Sequence, residues 1–277
     1  MKVGMLTAPF DKEPLETVLD FAEDAAIPCL EIVAHPGSKH LDAAKFDAKK
    51  AAQLKTALEA RQLEISALAY YDVGISDARQ TGKVQEHAKK VIDAAALLEV
   101  DTVCMLAGFQ AGGLSKYDTI AKVLPKVFKP VLAHARKKKV RIALENWFET
   151  CLQGIDTFEL MFSAIPDDNF GLNYDPSHLY HQECDHLIPV SQFKDRIFHV
   201  HAKDTLVDKA IRARVGVYGK GWWRYVIPGF GNINWGELVS HLRINGYDGV
   251  LSIENEDSSQ VREEGFLRGA VFLEQFC

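Results

Sequence analysis

Eight strand-like runs alternate with amphipathic helical segments along the whole chain, and this alternation constrains the fold more than any other feature. The runs are KVGMLT (2–7), CLEIVA (29–34), EISALAY (64–70), TVCMLA (102–107), VRIALE (140–145), FGLNYD (170–175), RIFHVHA (196–202) and GVLSIE (249–254). Such apolar runs between amphipathic helices are typical of parallel strands buried on both faces. Eight units predict an α/β fold with one domain over 1–277, a (β/α)8 TIM barrel. An open doubly wound sheet is the alternative, but no G-x-G-x-x-G follows the first strand.

The spacing of the strands is regular except after the seventh. Strand starts up to residue 196 lie 26–38 residues apart, whereas the eighth strand starts 53 residues after the seventh. The extra residues, about 205–235, directly follow a strand and are therefore predicted to form a long loop at the carboxyl face, where barrel enzymes keep their active sites. A substrate lid is a common reason for such a loop.

Charge and composition narrow the classes of function. The net charge of −6 is poorly suited to holding a phosphate backbone, so no nucleic-acid partner is expected. No apolar run approaches the ~20 residues of a membrane span, and no signal-peptide pattern opens the chain, so we expect a cytoplasmic protein without a membrane partner. Five cysteines without a CxxC pair are expected to be incidental thiols in a reducing compartment.

Three carboxylates and one imidazole close four of the predicted strands. These residues are Glu145, Asp175, His201 and Glu254, and alternation makes each the last inward-facing residue of its strand. At the rim of one barrel the four side chains would converge. Three oxygen donors and one nitrogen favour Mn²⁺ as a single bound ion, with Mg²⁺, Co²⁺ and Zn²⁺ as alternatives. Each residue alone could instead be a polar strand terminator.

Other residues near the strand ends are candidates for contact with a substrate. His178 follows Asp175 closely and could reach a substrate hydroxyl, bind a second metal or cap the next segment. Lys203 could steady a substrate oxygen or form a salt bridge across the barrel mouth. His199 lies one layer deeper and is expected to be a hydrogen-bonded core histidine. Three further residues could line the rim: Glu31 and His35 flank the end of strand two, and Tyr70 ends strand three.

The long loop combines aromatic and basic side chains with glycines. Trp222 and Trp223 suit stacking on a sugar ring, and Arg212 is a candidate substrate contact. The same tryptophans would equally serve to pack the loop onto its own body or onto a second subunit. A homo-oligomer therefore stays an open alternative.

Four motifs of the chain resemble those of the xylose-isomerase-like barrel superfamily in order and spacing: ALEN (143–146), NYDPSH (173–178), HVHAKD (199–204) and SIENED (252–257). That superfamily includes sugar phosphate isomerases and epimerases, ketose 3-epimerases, inosose dehydratases and endonuclease IV. The resemblance implies that Glu145 and Glu254 are both metal ligands and the acid/base pair of an epimerase. It also implies that His178 contacts the substrate.

The chain departs from endonuclease IV and from ketose 3-epimerases at informative positions. The extra zinc-binding histidines of endonuclease IV are missing, because strands three and four end in Ala69–Tyr70 and Ala107–Gly108. A DNA-repair role is therefore not expected. The second glutamate and the arginine that hold the far end of the sugar in ketose 3-epimerases have only loose counterparts, Glu149 and Arg212.

These residues predict a divalent-metal-dependent isomerase, either a sugar epimerase or an aldose–ketose isomerase. A bound ion would polarise a carbonyl, and two carboxylates would move a proton on the neighbouring carbon through an enediolate. Loss of a β-leaving group would make the enzyme a dehydratase or lyase on a sugar or inositol derivative instead. A metal-dependent hydrolase and a non-catalytic sugar-binding barrel are further alternatives.

Overall fold

Ten strands are present in the computed structural model, which describes residues 1–277. They are β1 (Lys2–Leu6), β2 (Cys29–Val33), β3 (Glu64–Tyr70), β4 (Thr102–Leu106), β5 (Arg141–Glu145), β6 (Phe170–Tyr174), β7 (Ile197–Ala202), β8 (Asp204–Val207), β9 (Trp223–Val226) and β10 (Val250–Ile253). Eight of them close a parallel barrel in the order β1-β2-β3-β4-β5-β6-β7-β10. The predicted TIM barrel is confirmed, and the open doubly wound sheet is wrong.

Helices cover the outside of the barrel and connect its strands. They are α1 (Leu15–Asp24), α2 (Ala48–Ala60), α3 (Thr81–Leu98), α4 (Lys116–Lys122), α5 (Leu124–Lys138), α6 (Ile155–Ala164), α7 (Ser177–Tyr180), α8 (Ile188–Gln192), α9 (Lys209–Val215), α10 (Trp235–Ile244) and α11 (Arg262–Glu274). None of these helices is long and apolar enough to cross a membrane.

One continuous helical pattern of the sequence, over 117–139, forms two helices in the structure. The break falls at Val123, between α4 and α5. Pro125 follows in the first turn of α5, where its missing N–H costs nothing, whereas inside a continuous helix the proline would remove a hydrogen bond. The proline therefore favours a new helix start at this position.

The core lies mainly between the barrel and its helices. A single cluster of 63 buried hydrophobic residues fills this layer, including Phe128 and Phe170, whose rings are 5.2 Å apart. Inside the barrel the side chains are small or polar. Ala67, Cys104 and Ala143 pack together there, and a layer of polar side chains lies nearer the carboxyl rim.

The long segment after β7 is more ordered than a loop. Strands β8 and β9 pair antiparallel as a separate hairpin, with α9 between them. Asp204, fully buried at the start of β8, accepts hydrogen bonds from the backbone N–H groups of Gly229, Gly231 and Ile233 and from Trp235 Nε1. The carboxylate thus ties both ends of the segment to the barrel rim.

Candidate active site

The four strand-end residues meet at the carboxyl rim of the barrel. Glu145 ends β5, Asp175 follows β6, His201 lies near the end of β7 and Glu254 follows β10. One potential ligand atom from each lies within 4.8 Å of those of the other three. Strands β5, β6, β7 and β10 are consecutive neighbours in the barrel, so their ends occupy one side of the rim. We call these four residues the rim cluster.

Asp175 is held rigidly by its neighbours. Its backbone N–H donates to Asn146 Oδ1 (2.8 Å), and Asn146 Nδ2 donates back to the carbonyl of Asp175 (2.7 Å), which fixes the ends of β5 and β6 together. The Asp175 Oδ1 atom accepts from the backbone N–H of Ser177 (2.8 Å). Only Oδ2 is left to face the rim cluster.

A buried carboxylate sets the orientation of His201. Glu31 comes from β2 on the opposite wall, and its Oε2 lies 3.0 Å from His201 Nε2 and accepts from Ser252 Oγ (2.9 Å). The other oxygen of Glu31 accepts from the Tyr71 hydroxyl. The imidazole therefore presents Nδ1 to the rim cluster, 3.1 Å from Glu254 Oε2. Carboxylate–histidine pairs of this kind fix the ring orientation of metal-binding histidines.

The charges around His201 favour ionised carboxylates. Burial alone would raise the pKa of Glu31, but the charges of His201 and His199 and the hydrogen bonds from His201 and Tyr71 lower it to about 2. Burial also opposes the imidazolium form of His201, yet Glu31 and Glu254 raise its pKa above the ordinary value. The negative charges of these carboxylates therefore favour a cation at the rim.

Lys203 places one ammonium group among these carboxylates. Its side chain is buried, and its Nζ lies 2.6 Å from Glu254 Oε2, 3.2 Å from Asp175 Oδ2 and 3.2 Å from Glu256 Oε2. Burial lowers the pKa of Lys203, but Asp175 and Glu254 outweigh it and hold the pKa above its ordinary value. Of the two roles considered for Lys203, these contacts show the salt bridge across the barrel mouth.

The two glutamates of the rim cluster are ionised for different reasons. Burial raises the pKa of Glu145, but hydrogen bonds from His178 and His201 outweigh it and hold the pKa below its ordinary value. For Glu254, burial acts in the same direction and is outweighed chiefly by the Lys203 charge, which brings the pKa to about 2. Both groups are therefore ionised carboxylates at neutral pH.

Two buried polar atoms of the rim cluster fit a metal ion. Asp175 Oδ2 and His201 Nδ1 lie out of contact with solvent and lack a hydrogen bond of good geometry. Buried polar atoms are rarely left without a hydrogen bond, so an oxygen and a nitrogen of the same cluster that both lack one suit a cation. With the oxygens of Glu145 and Glu254 they form an O3N donor set, which a divalent ion such as Mn²⁺ or Zn²⁺ can accept.

His178 connects the rim cluster to the hairpin of β8 and β9. Its Nε2 lies 3.1 Å from Glu145 Oε1, and its Nδ1 lies 2.6 Å from the Tyr225 hydroxyl. Because a carboxylate can only accept, Nε2 carries the proton and Nδ1 accepts from Tyr225. The Tyr225 ring also lies under the ammonium of Lys203, at 4.6 Å.

A cavity of about 540 Å³ opens above the rim cluster. Aromatic rings form much of its wall: Tyr71, Trp147, Phe148, Trp223 and Tyr225. The ring of Trp223 stacks on His181, with centroids 3.9 Å apart and planes within 2°. Burial lowers the pKa of His181 to about 3, so this imidazole is neutral and stacks as an aromatic ring. Glu145, Glu149, Glu254, Glu256, His178 and Lys203 complete the lining.

The structure brings some of the expected substrate contacts to this cavity and leaves others outside. Trp223, His178 and Lys203 line it. Trp222 points the other way, is 4% exposed and donates from Nε1 to the carbonyl of Gly219. Arg212 pairs with Glu183 and lies over the Trp222 ring rather than over the rim cluster.

Two further rim candidates, His35 and Tyr70, lie outside the cavity lining. The Tyr70 ring packs 4.7 Å from His87 of α3 and 5.5 Å from His35, and its hydroxyl donates to Asp72. These contacts place both rings on the helical side of β3. The expected core role of His199 is confirmed, since Nδ1 bonds Asn173 and Nε2 bonds Ser66.

Several cavity residues carry no clear signal in the sequence. Tyr71 lines the cavity in place of Tyr70 because the pairing of β2 with β3 shifts by one residue at Ser66, and alternation from Ala67 then turns Tyr71 inward. Tyr225 lines the cavity from a hairpin that the sequence suggests only as a loop. Glu256 could have been found, because it stands two residues after Glu254 in SIENED.

A barrel with carboxylates and an imidazole gathered at its carboxyl rim defines the class of protein to which this chain belongs. The family model described as xylose isomerase-like TIM barrel matches residues 19–276. The chain is a member of that family, as the four sequence motifs imply.

Relatives by sequence fall into two groups. The uncharacterised protein YfiH of Bacillus subtilis is 27% identical over 310 aligned positions, covering 99% of both chains. An inosose dehydratase of Clostridium perfringens is 22% identical over 144 positions, which cover 50% of this chain and 48% of the dehydratase. The chain thus matches only about half the length of that named enzyme.

Solved structures share the whole fold at low sequence identity. The probable 3-DHS dehydratase AsbF of Bacillus anthracis superposes with a TM-score of 0.78 at 16% identity, covering 99% of each chain. A D-tagatose 3-epimerase-like protein gives 0.77 at 22%, covering 100% of this chain and 97% of that one. The IolI protein with a bound zinc atom gives 0.75 at 18%, covering 100% and 99%. These likenesses concern the fold.

Proposed function

We propose that this chain is a divalent-metal-dependent enzyme that removes a proton from the carbon beside the carbonyl of a keto-sugar or related polyol. Return of the proton makes it an epimerase or an aldose–ketose isomerase. The observation that carries the proposal is the rim cluster, in which four potential ligand atoms lie within 4.8 Å of one another and two of the carboxylates line an open cavity. Metal-dependent proton transfer needs both features together.

The rim cluster of Glu145, Asp175, His201 and Glu254 would hold the ion. When bound, the ion would polarise the carbonyl and stabilise the negative charge of the enediolate. The chain's own groups move the proton. Glu145 and Glu254 come from β5 and β10, which β6 and β7 separate in the barrel, so the two carboxylates would reach the substrate from different directions. One ionised carboxylate takes the proton from the substrate and later releases it to solvent. The other takes a proton from solvent and gives it to the substrate, so the number of protons is unchanged.

His178 and Lys203 would position the substrate oxygens. His178 is fixed by Tyr225 on one nitrogen, so the N–H on its other nitrogen has a defined direction beside Glu145. The Lys203 ammonium contacts Glu254 and would stabilise negative charge that develops on a substrate oxygen nearby. Trp223 and Phe148 offer ring edges and faces to the C–H surface of a sugar.

Dehydration is the second candidate. It is favoured by the inosose dehydratase relative and begins with the same proton abstraction beside a carbonyl. The two outcomes diverge only after the proton is removed. A substrate with a leaving group on the next carbon would lose water, whereas one without it would recover a proton.

Solvent deuterium uptake tests the proposal directly. Candidate keto-sugars and inososes are incubated in D₂O with the Mn²⁺-loaded enzyme, the ion is removed by chelation, and the products are examined by NMR. Deuterium beside the carbonyl with altered stereochemistry indicates an epimerase, and a moved carbonyl indicates an isomerase. Formation of an unsaturated or deoxygenated product supports the dehydratase. Bond cleavage by water without deuterium uptake would reject both.

Substitution of the two carboxylates tests the assignment of the proton carriers. We expect Glu145→Gln and Glu254→Gln each to lower turnover by about 10²–10⁴, because an amide cannot accept the proton. Turnover is measured at saturating metal so that weakened ion binding does not contribute. Glu64→Gln, an exposed glutamate that pairs with Lys2 at the foot of β3, is the matched control. Near-normal turnover of either rim variant would contradict the two-carboxylate mechanism.

A further inference from the structure

The cavity above the rim cluster has an unusual balance of charge. Four carboxylates line it, from Glu145, Glu149, Glu254 and Glu256, and the buried Asp175 lies behind them. Lys203 is the one lysine or arginine in the lining. A divalent ion and the Lys203 ammonium together would still leave two of the five negative charges uncompensated.

The Lys203 ammonium is already engaged. Its Nζ donates hydrogen bonds to Glu254 and Glu256 and forms an ion pair with Asp175 Oδ2, at distances of 2.6, 3.2 and 3.2 Å. An ammonium has three protons to donate, and three carboxylates are within reach of them. A phosphate or carboxylate on a substrate would have to compete with these fixed anions for the same group.

Other cations near the cavity are turned to different partners. Arg224 donates to Asp257 Oδ1 at 2.8 Å, and Arg212 pairs with Glu183 outside the lining. Lys116 donates to the carbonyl of Phe148 (2.7 Å) and to Gln153 Oε1 (2.6 Å). None of the three side chains lines the cavity.

The position where barrel enzymes often bind phosphate is acidic here. Phosphate sites of this fold are frequently built from the loops after the seventh and eighth barrel strands. In this chain the loop after β10 reads Glu254–Asn255–Glu256–Asp257, and the segment after β7 contributes Trp223 and Tyr225 to the cavity. The usual anion-binding corner therefore carries carboxylates and aromatic rings.

From this charge balance we infer that the site takes an uncharged polyhydroxy ketone, either a free keto-sugar or a cyclic polyhydroxy ketone, and rejects phosphorylated and carboxylated ones. The inference rests on the proposed function and specifies its substrate class. Like-charge repulsion in a partly buried cavity rejects an anion, while aromatic walls and hydroxyl-binding carboxylates accept a neutral polyol. Hydroxyl groups can donate to the carboxylates, whereas a phosphate dianion cannot.

Matched pairs of ligands test the inference. Binding of D-fructose and D-fructose 6-phosphate, and of 3-dehydroshikimate and its methyl ester, is measured by the fluorescence change of the cavity tryptophans in Mg²⁺-loaded enzyme. We expect the neutral member of each pair to bind at least about tenfold more tightly. Equal or tighter binding of the charged members, or absence of any neutral preference, would overturn the inference.

A charge substitution at the cavity mouth separates local repulsion from overall charge. Glu149→Lys should tighten binding of D-fructose 6-phosphate and reduce the ratio of its Kd to that of D-fructose by about tenfold. Glu159→Lys makes the same change in net charge at an exposed position of α6, outside the cavity, and should leave this ratio of Kd values unaltered. An equal effect of both variants would overturn the local explanation.

The same experiments distinguish this inference from the proposed function. A neutral preference in binding without deuterium uptake by any ketone would reject the proposed proton transfer and retain the substrate class. Deuterium uptake into a phosphorylated or carboxylated ketone at a kcat/KM equal to that of its neutral partner would reject the inferred substrate class and retain the proposed proton transfer.

Discussion

Glu31 holds the imidazole of His201 from the side opposite the rim cluster. Its carboxylate is wholly buried and contacts His201, Ser252 and Tyr71. A carboxylate buried this deeply is stable only because the histidine and the hydroxyl groups compensate its charge. The residue therefore belongs to the architecture that presents Nδ1 of His201 to the rim cluster.

We predict that Glu31→Gln weakens Mn²⁺ binding by about 10–100-fold, the usual effect of losing a carboxylate that supports a metal-binding histidine. The amide keeps the size of the side chain but not the charge that orients the ring. Mn²⁺ affinity is measured by electron paramagnetic resonance titration, which does not depend on turnover. Glu64→Gln on the neighbouring strand serves as the control. A Mn²⁺ affinity equal to that of the unaltered protein would contradict the role of Glu31.

Individual residues also show where sequence reasoning reaches its limit. The four rim residues could be chosen from the sequence because each is the last polar inward position of a short strand. Tyr71 could not be chosen over Tyr70, since the deciding feature is the register shift at Ser66 between two strands. Alternation predicts which residues share a face, but pairing with the neighbour sets which face is inside.

The hairpin of β8 and β9 is the element that completes the cavity. Alternation along β9 puts Trp223 and Tyr225 on the face toward the cavity, while Arg224 faces Asp257. The sequence groups Trp222 and Trp223 as equivalent stacking candidates. The structure separates them, because β9 begins at Trp223, whereas Trp222 precedes the strand and donates to the carbonyl of Gly219.

Asp204 anchors this element to the barrel. Besides four donors from the returning chain, its Oδ1 accepts from the backbone N–H of Thr205 at 2.7 Å. Glycine is required beside it at residue 231, where a Cβ atom would lie 2.2 Å from Asp204 Oδ1. The carboxylate and the close backbone approach thus depend on each other.

We predict that Asp204→Asn lowers the free energy of unfolding by about 1–3 kcal/mol, because an amide nitrogen would face backbone donors and leave at least one unsatisfied. Thermal unfolding followed by circular dichroism measures the change. Asp208→Asn is the matched control, since Asp208 caps α9 and asparagine caps a helix equally well. Equal stability of the two variants would show that the anchor contributes nothing.

At the level of the whole molecule, the barrel is compatible with a metal-free state. The Lys203 ammonium lies among the carboxylates of the rim cluster, so these charges are partly compensated without an ion. Metal binding should therefore stabilise a barrel that is already folded. This differs from small zinc domains, which unfold when the metal is removed.

We predict that chelation abolishes turnover but leaves the far-ultraviolet circular dichroism spectrum unchanged. Adding Mn²⁺ at about 100 times its Kd should stabilise the fold by about 2.7 kcal/mol. For a protein of this size that raises Tm by about 5–10 °C. Asp175→Asn, which removes a ligand charge, should lose most of the shift. An unchanged Tm in the presence of the ion would contradict a metal site at the rim.

The sequence by itself determined the barrel, the number of its strands and the residues of the rim cluster. Hydrophobic periodicity is a local property, and parallel strands with helical connections bring all carboxyl ends to one rim. For Glu145, Asp175, His201 and Glu254, position along the chain was therefore enough to predict proximity in space.

Only the tertiary structure decided which other side chains face the cavity. The partnership of Glu31 with His201, the choice of Tyr71 over Tyr70, and the separation of Trp223 from Trp222 each depend on contacts between residues distant in sequence. So does the charge balance of the cavity, because the carboxylates around Lys203 come from β5, β6 and β10. Register, hairpin pairing and ion pairs are properties of the folded chain, which local patterns do not encode.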